Sequence, residues 1–225
     1  YKNAWLKLYD KPVFYFPKFF HPDPTVKRQS GFLMPTFEDS SSLGSSLNIP
    51  YFGVLADNKD FTLRPRFYSG EKILLQTEYR EINDKSNHLL DLSLVSEKDN
   101  TSKSHFFSKT VKKLNFNNFD ESELSLQLEQ VSNDTYLKTY KIKSPLIKDT
   151  GQLTSSLGIS VYREDLSVST DFFVYENLSK ENSDRYEFVY PSYTLVKQLD
   201  TNNKFNGNFS INSSGYLKNY ETNIF

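Results

Sequence analysis

Alternation of apolar and polar residues governs this chain from residue 43 to its end. In "KILLQTEYRE", Ile73, Leu75, Thr77 and Tyr79 share one face, and Gln76, Glu78 and Arg80 share the other. "HLLDLSLV" sets Leu90, Leu92 and Leu94 against Asp91 and Ser93, and "ELSLQLEQV" sets Leu124, Leu126 and Leu128 against Ser125, Gln127 and Glu129. "LTSSLGISV" lines up Leu153, Leu157, Ile159 and Val161, and "VSTDFFVY" lines up Val168, Phe172 and Val174. In "FTLRPRFY", Phe61, Leu63 and Phe67 point away from Arg64 and Arg66. A period of two belongs to a strand, because successive side chains leave opposite faces of a sheet. Turn-forming clusters such as "ADNKD", "YSGEK", "NDKSN" and "LDTNNK" separate the runs. The spacing predicts roughly ten strands, most of about 8–12 residues, joined as an antiparallel meander. No segment carries a helical period. The connection at 132–152 reads either as a loop or as a strand over "YLKTYKIK".

A meander with one greasy face has two stable settings. A soluble sandwich or barrel turns that face inward. A transmembrane barrel turns it toward lipid and lines a wet lumen with the polar face. Alternation alone does not separate them. Strands of about 9–11 residues suffice to cross hydrocarbon at a tilt. Charges at mid-strand (Arg64, Arg66, Glu78, Arg80) suit a watery interior. Tyr51, Tyr68, Tyr79, Tyr175 and Tyr190 near strand ends suit an interfacial girdle. These features favour the membrane setting.

Composition removes other classes. The net charge of −1 gives no electrostatic case for nucleic acid. The absence of cysteine excludes disulfides and thiolate metal sites within this stretch. No run of 18 apolar residues offers a membrane-spanning helix. His21, His88 and His105 are scattered and none begins a metal-ligand spacing. No Gly-rich phosphate loop or nucleophile elbow is present, so neither an enzyme nor a cofactor is expected.

The first residues differ from the rest. "NAWLKLYDKPVFYFPKFF" reads as a hairpin, Ala4–Tyr9 and Val13–Phe20, turned at "DKP" and denser in aromatics than anything later. "HPDPTVKRQSGFLMP" follows as a stiff basic joint. Pro22, Pro24 and Pro35 fix the backbone there, and Gly31 permits a tight change of direction. The chain opens on "YKNAWLK" without a signal peptide, and "NYETNIF" breaks the alternation of a closing barrel strand, so the chain reads as a piece of something longer.

"VFYFPKFFHPDPTVKRQSGFLMPTF", followed by "SSLNIPYFGVLADNKDFTLRPRFYS", resembles the LptD (OstA/Imp) family of lipopolysaccharide-assembly outer-membrane proteins. The resemblance is densest over 5–80 and continues loosely to about 200. It implies an all-β chain: an antiparallel meander forming part of a large transmembrane β-barrel, preceded by the last hairpin of a β-jellyroll. Residues 1–26 would then end the periplasmic jellyroll, 27–42 form the junction and 43–225 begin the barrel. The family's partners would be lipopolysaccharide, an LptE-like lipoprotein plug, an LptA-like periplasmic bridge reached through the jellyroll, and the outer membrane itself.

The resemblance also gives residue roles. Lys27, Arg28 and Gly31 lie at the joint, where the cations either meet lipid phosphates or bridge to acidic groups. Pro50 and Pro65 lie inside strand-like segments where each removes a ladder donor. The family's lateral gate, the seam between first and last strands, falls there. Arg64, Arg66, Gln76, Glu78 and Arg80 are expected to face the lumen, and Ile73, Leu75, Leu90, Leu92 and Leu94 to face lipid. A different outer-membrane pore, TonB-dependent or porin-like, is the alternative; a soluble adhesin-like domain is a third reading.

Overall fold

The computed structural model describes residues 2–8, 10–18, 28–70, 72–96, 101–180, 183–200 and 207–220. β1 (Lys2–Leu8) and β2 (Lys11–Lys18) pair as a separate antiparallel hairpin. Asp10, at φ 62°, makes its turn. A single 13-stranded sheet takes up the other strands. They are β3 (Gly31–Phe32), β4 (Thr36–Ser40), β5 (Gly44–Asn48), β6 (Tyr51–Ala56), β7 (Lys59–Tyr68), β8 (Ile73–Asn83), β9 (Ser86–Ser96) and β10 (Ser102–Lys113). β11 (Glu121–Val131), β12 (Gln152–Arg163), β13 (Leu166–Asn177), β14 (Tyr186–Leu199) and β15 (Phe209–Tyr220) complete it. The class is all-β and the order from β7 to β15 is a plain antiparallel meander.

Register follows the alternation. Arg64 opposes Gln76, Gln76 opposes Ser93, and Ser93 opposes His105, so the polar residues form rows across the sheet. Leu75 opposes Leu94 and Thr77 opposes Leu92, giving the matching apolar rows. Cross-strand neighbours on one face are the unit of sheet stabilisation, and a slip by one residue would mix the two sets.

The start of the sheet is irregular. β5 and β6 are two halves of one broken strand, both paired to β7 in the same register, with Ile49 and Pro50 at the break. The segment expected to be only a joint contributes ladder as well: β3 pairs β6 and β4 pairs β5. Gly31 lies in extended β3 with open space around it, so it makes no tight turn. The left-handed position is Gly44, at φ 75°, where an added Cβ would meet the Ser69 hydroxyl.

The segment 132–151 is neither a plain loop nor a strand. It carries a four-residue helix, α1 (Tyr136–Thr139), and folds back onto the polar face. Tyr136, Leu137, Tyr140, Ile142 and Leu146 bury against Tyr68, Leu74, Val95 and Phe107. Leu153 is buried in this cluster as well, whereas Leu157 and Ile159 further along β12 are exposed. The main hydrophobic cluster thus sits under one long connection rather than between two sheets.

Candidate functional site

The two faces of the sheet are exposed in the opposite sense to a soluble domain. Gln76 is 1% exposed and Glu78 3%, whereas Leu94 is 51% exposed. Ile73, Leu75 and Leu92 are exposed as well, and Leu90 is half-buried. Arg66 is buried, and Arg64 and Arg80 are half-buried. The expected lumen-facing set therefore shares one face, and the expected lipid-facing set shares the other.

Charges on the polar face are tied into a chain. Glu78 accepts from Arg64 at 3.0 Å and from Arg80 at 2.9 Å, and Arg80 also donates to Asp60 at 2.6 Å. Arg28, from the joint, pairs with the same Asp60 and lies 5.7 Å from the Phe52 ring, over which Arg80 also sits. Beside it the Ser30 hydroxyl accepts from Val54 N–H at 2.8 Å. The Arg28 guanidinium is thus engaged in bridging joint to strand; Lys27 lies outside the described residues.

Among the described residues, side-chain hydrogen bonds fasten the 132–151 segment to this face. Arg66 donates to the Tyr140 carbonyl at 2.6 Å, Gln76 donates to the Lys143 carbonyl at 3.0 Å, and the Ser93 and Tyr136 hydroxyls meet at 2.6 Å. Burial pushes the Tyr136 hydroxyl up to about 12, so it stays protonated. Arg185, from the β13–β14 connection, donates to both oxygens of Asp134 at 3.0 and 2.7 Å and so holds the start of the segment. The guanidinium keeps the Asp134 carboxyl below the usual carboxylate range.

Alternation gave no sign of the cluster Asp91–His105–Ser93. Ser93 Oγ lies 2.5 Å from His105 Nδ1, and His105 Nε2 lies 3.3 Å from Asp91. The residues come together through the β9–β10 register. Their order resembles a nucleophile triad, yet Ser93 is buried beneath Tyr136 and no face of it opens to solvent. The cluster is a polar core that holds the folded-back segment. Nothing in a single sequence reports the pairing that builds it.

Pro50 and Pro65 occupy one ladder. Ile49 pairs with Pro65, and Pro50 falls opposite Arg64 in the same register. Ile49 N–H donates to the Pro65 carbonyl at 3.1 Å, so the donor Pro65 lacks would have pointed at Ile49. Leu33 N–H donates to the Pro50 carbonyl at 2.8 Å, so the donor Pro50 lacks faces the outer strand. Asn48 Oδ1 and Arg64 Nη1, beside the prolines, are buried without a hydrogen-bond partner among the described residues.

The girdle expected from tyrosines needs correction. Tyr51, Tyr79 and Tyr190 stand with the apolar rows, and Tyr186, Phe188 and Tyr190 form a run of ring contacts at 6.1 and 5.8 Å. Tyr68 is instead buried against Tyr140, with ring centroids 6.0 Å apart. Tyr175 stands on the polar face, opposite Glu187.

No protein-family model matches the chain. An LPS-assembly protein LptD of Pseudomonas aeruginosa (strain UCBPP-PA14) is 38% identical over 97 residues, 43% of this chain and 10% of that protein. One of Pseudomonas fluorescens (strain Pf-5) is 28% identical over 228 residues, 99% of this chain and 23% of that protein. One of Pseudoalteromonas atlantica is 28% identical over 187 residues, 82% of this chain and 24% of that protein. The chain spans between a tenth and a quarter of the length of these curated relatives. With one match running along almost its whole length, the chain is similar to the LPS-assembly proteins LptD.

Proposed function

We propose that this chain forms part of an outer-membrane translocon that inserts lipopolysaccharide into the outer leaflet. The observation that carries the reading is the inverted polarity of the sheet. Leucine rows that lie bare in the isolated chain are stable against acyl chains, and shielded ion pairs suit a watery lumen. Residues 43–225 are then barrel wall, 27–42 the junction and 1–26 the end of a periplasmic jellyroll. The outer membrane of a Gram-negative bacterium is the location. An LptE-like plug and an LptA-like bridge are the companions proposed by analogy with the family. Catalysis has no part in the reading.

Connection lengths suggest which way the wall stands. The turns at 57–58, 84–85 and 164–165 have two residues each and share one end with the 114–120 and 200–208 connections; Arg28 and Ser30 are anchored there as well. The 69–72, 132–151 and 178–185 connections share the other. Short periplasmic turns and longer outer loops are the rule in such barrels, so the joint enters from the periplasm.

A lateral gate at Pro50 and Pro65 is part of the proposal. The missing donors thin the ladders nearest the N-terminal edge of the sheet, where β5 meets β7 over only Ser46–Asn48 and β3 meets β6 over two pairs. A seam weakened there by ~2 kcal/mol opens locally while a many-stranded barrel persists. Arg28 serves as a latch fixing joint to wall through Asp60, the alternative to direct phosphate contact that its pairing supports. The test is depletion of the full-length protein in its host. Lipopolysaccharide then fails to reach the cell surface, and plasmid-borne wild type restores it. Normal surface lipopolysaccharide throughout depletion would overturn the assignment.

A further inference from the structure

Phe173, Tyr175, Tyr216 and Tyr220 set four aromatic rings on the polar face, in line with Ser156, Gly158 and Asp171. Unlike Tyr68, Leu74, Val95 and Phe107 on the same face, they are not part of the cluster under the 132–151 segment. The Phe173 and Tyr175 rings stack, with centroids 5.7 Å apart and planes 15° apart. Tyr216 and Tyr220 flank Lys218, whose ammonium lies 5.9 Å from each ring. Two adjoining hollows of about 490 and 270 Å³ run past these rings and share Gln152, Tyr175 and Glu187.

We propose that this patch is a binding strip for the uncharged sugar rings of an oligosaccharide. A pyranose has an apolar C–H face and a rim of hydroxyls. Aromatic faces take the first by dispersion and area burial, and amide and carboxylate groups take the second. The patch supplies both, with Gln152, Asn177 and Glu187 beside the rings. Charge decides against phosphate as the ligand. Lys218 is paired to Glu187 at 2.6 Å, Arg185 to Asp134 and Glu176, and Lys180 to Asp184 at 3.8 Å. Every cation of the patch is thus met by a carboxylate. An aromatic patch covered by a neighbouring strand or loop of the full-length protein would carry no such ligand, and binding separates the two.

This strip rests on the reading that the polar face lines the route of lipopolysaccharide. The test uses the full-length protein in nanodiscs and, as probe, the sugar portion of lipopolysaccharide freed of lipid by mild acid and of phosphate by a phosphatase. Titration calorimetry is expected to show saturable binding. Tyr175→Ala with Tyr216→Ala should weaken it about tenfold, and the corresponding Tyr→Phe pair should stay within about twofold, since stacking survives loss of the hydroxyl. Heat-modifiable migration of each variant on gels checks that the barrel is intact. Inorganic phosphate should not compete. Absent wild-type binding, equal binding by the alanine pair, or displacement by phosphate would overturn the strip. Surface delivery of lipopolysaccharide, measured in the same strains, separates the two proposals: delivery without sugar binding sinks the strip alone.

Discussion

Ile49 N–H donates to the Pro65 carbonyl at 3.1 Å, and no donor returns from Pro65, whose ring nitrogen carries no proton. With Pro50 one residue away on the facing segment, the first broad ladder of the sheet lacks donors toward both of its sides. Pro65→Ala restores a bond to Ile49 and Pro50→Ala restores one toward Leu33. Each should stabilise the ladder by ~1 kcal/mol. Hydrogen exchange of the 44–56 amides should slow about fivefold per replacement, and surface lipopolysaccharide should fall in the double variant. Faster exchange with intact delivery would show that the prolines are bulges without a gating role.

Arg66 follows Pro65 directly, and its contact with the Tyr140 carbonyl ties the folded-back segment to the proline-bearing strand. Arg66→Ala leaves that buried carbonyl without its charged donor, at a cost of about 1.5–3 kcal/mol to the docking of 132–151. The segment should then become open to limited proteolysis at Lys138, Lys141 or Lys143 while the β-sheet signal in circular dichroism is unchanged. Arg66→Lys should recover part of the protection, since it keeps one donor but not the fork. Undiminished resistance in Arg66→Ala would show that apolar burial alone holds the segment.

How far the sequence speaks can be judged residue by residue. Leu75 and Leu94 announce the apolar face because a strand's period is local, and the facing rows then follow from antiparallel neighbours. Pro50 and Pro65 are legible for the same reason, since a missing donor inside an alternating run needs no partner to be noticed. Tyr136 and Tyr140 are not legible. Their segment has no period, and its burial depends on Arg66, Gln76 and Ser93, which lie 43 to 74 residues away in sequence. Tyr68 and Tyr175 look like girdle residues by position near strand ends, and only the register shows that they stand on the polar face. The partner of Arg28 is not legible because a cation's partner is tertiary; in the structure it pairs with Asp60.

Inverted polarity makes a direct prediction for the apolar rows. Leu92, near the middle of β9, is 37% exposed, so a soluble domain would accept Leu92→Arg at little cost. In a lipid-facing strand the same change should cost about 2–4 kcal/mol near the bilayer midplane. Folding of the full-length protein into vesicles, followed by urea titration, measures the difference. A shift under ~0.5 kcal/mol would place that face in water and remove the basis of the membrane reading.

The Asp134–Arg185 pair gives the folded-back segment a defined acid limit. The Asp134 carboxyl titrates below its ordinary value because Arg185 donates to it, and Arg185 is held upward by the same contacts. A depressed folded-state value means that the stabilisation is complete above the unfolded value of about 3.9 and is lost as pH falls through the lower, folded one. Arg185 remains charged throughout. Both groups are partly open to solvent, so screening limits the effect to within about 1 kcal/mol. Exchange of the Tyr136, Tyr140 and Ile142 amides should therefore differ little between wild type and Asp134→Asn at pH 3. At pH 5 and pH 7 the variant should exchange up to about fivefold faster. A difference between the two proteins that already shrinks between pH 7 and pH 5 would assign the acid limit to another group.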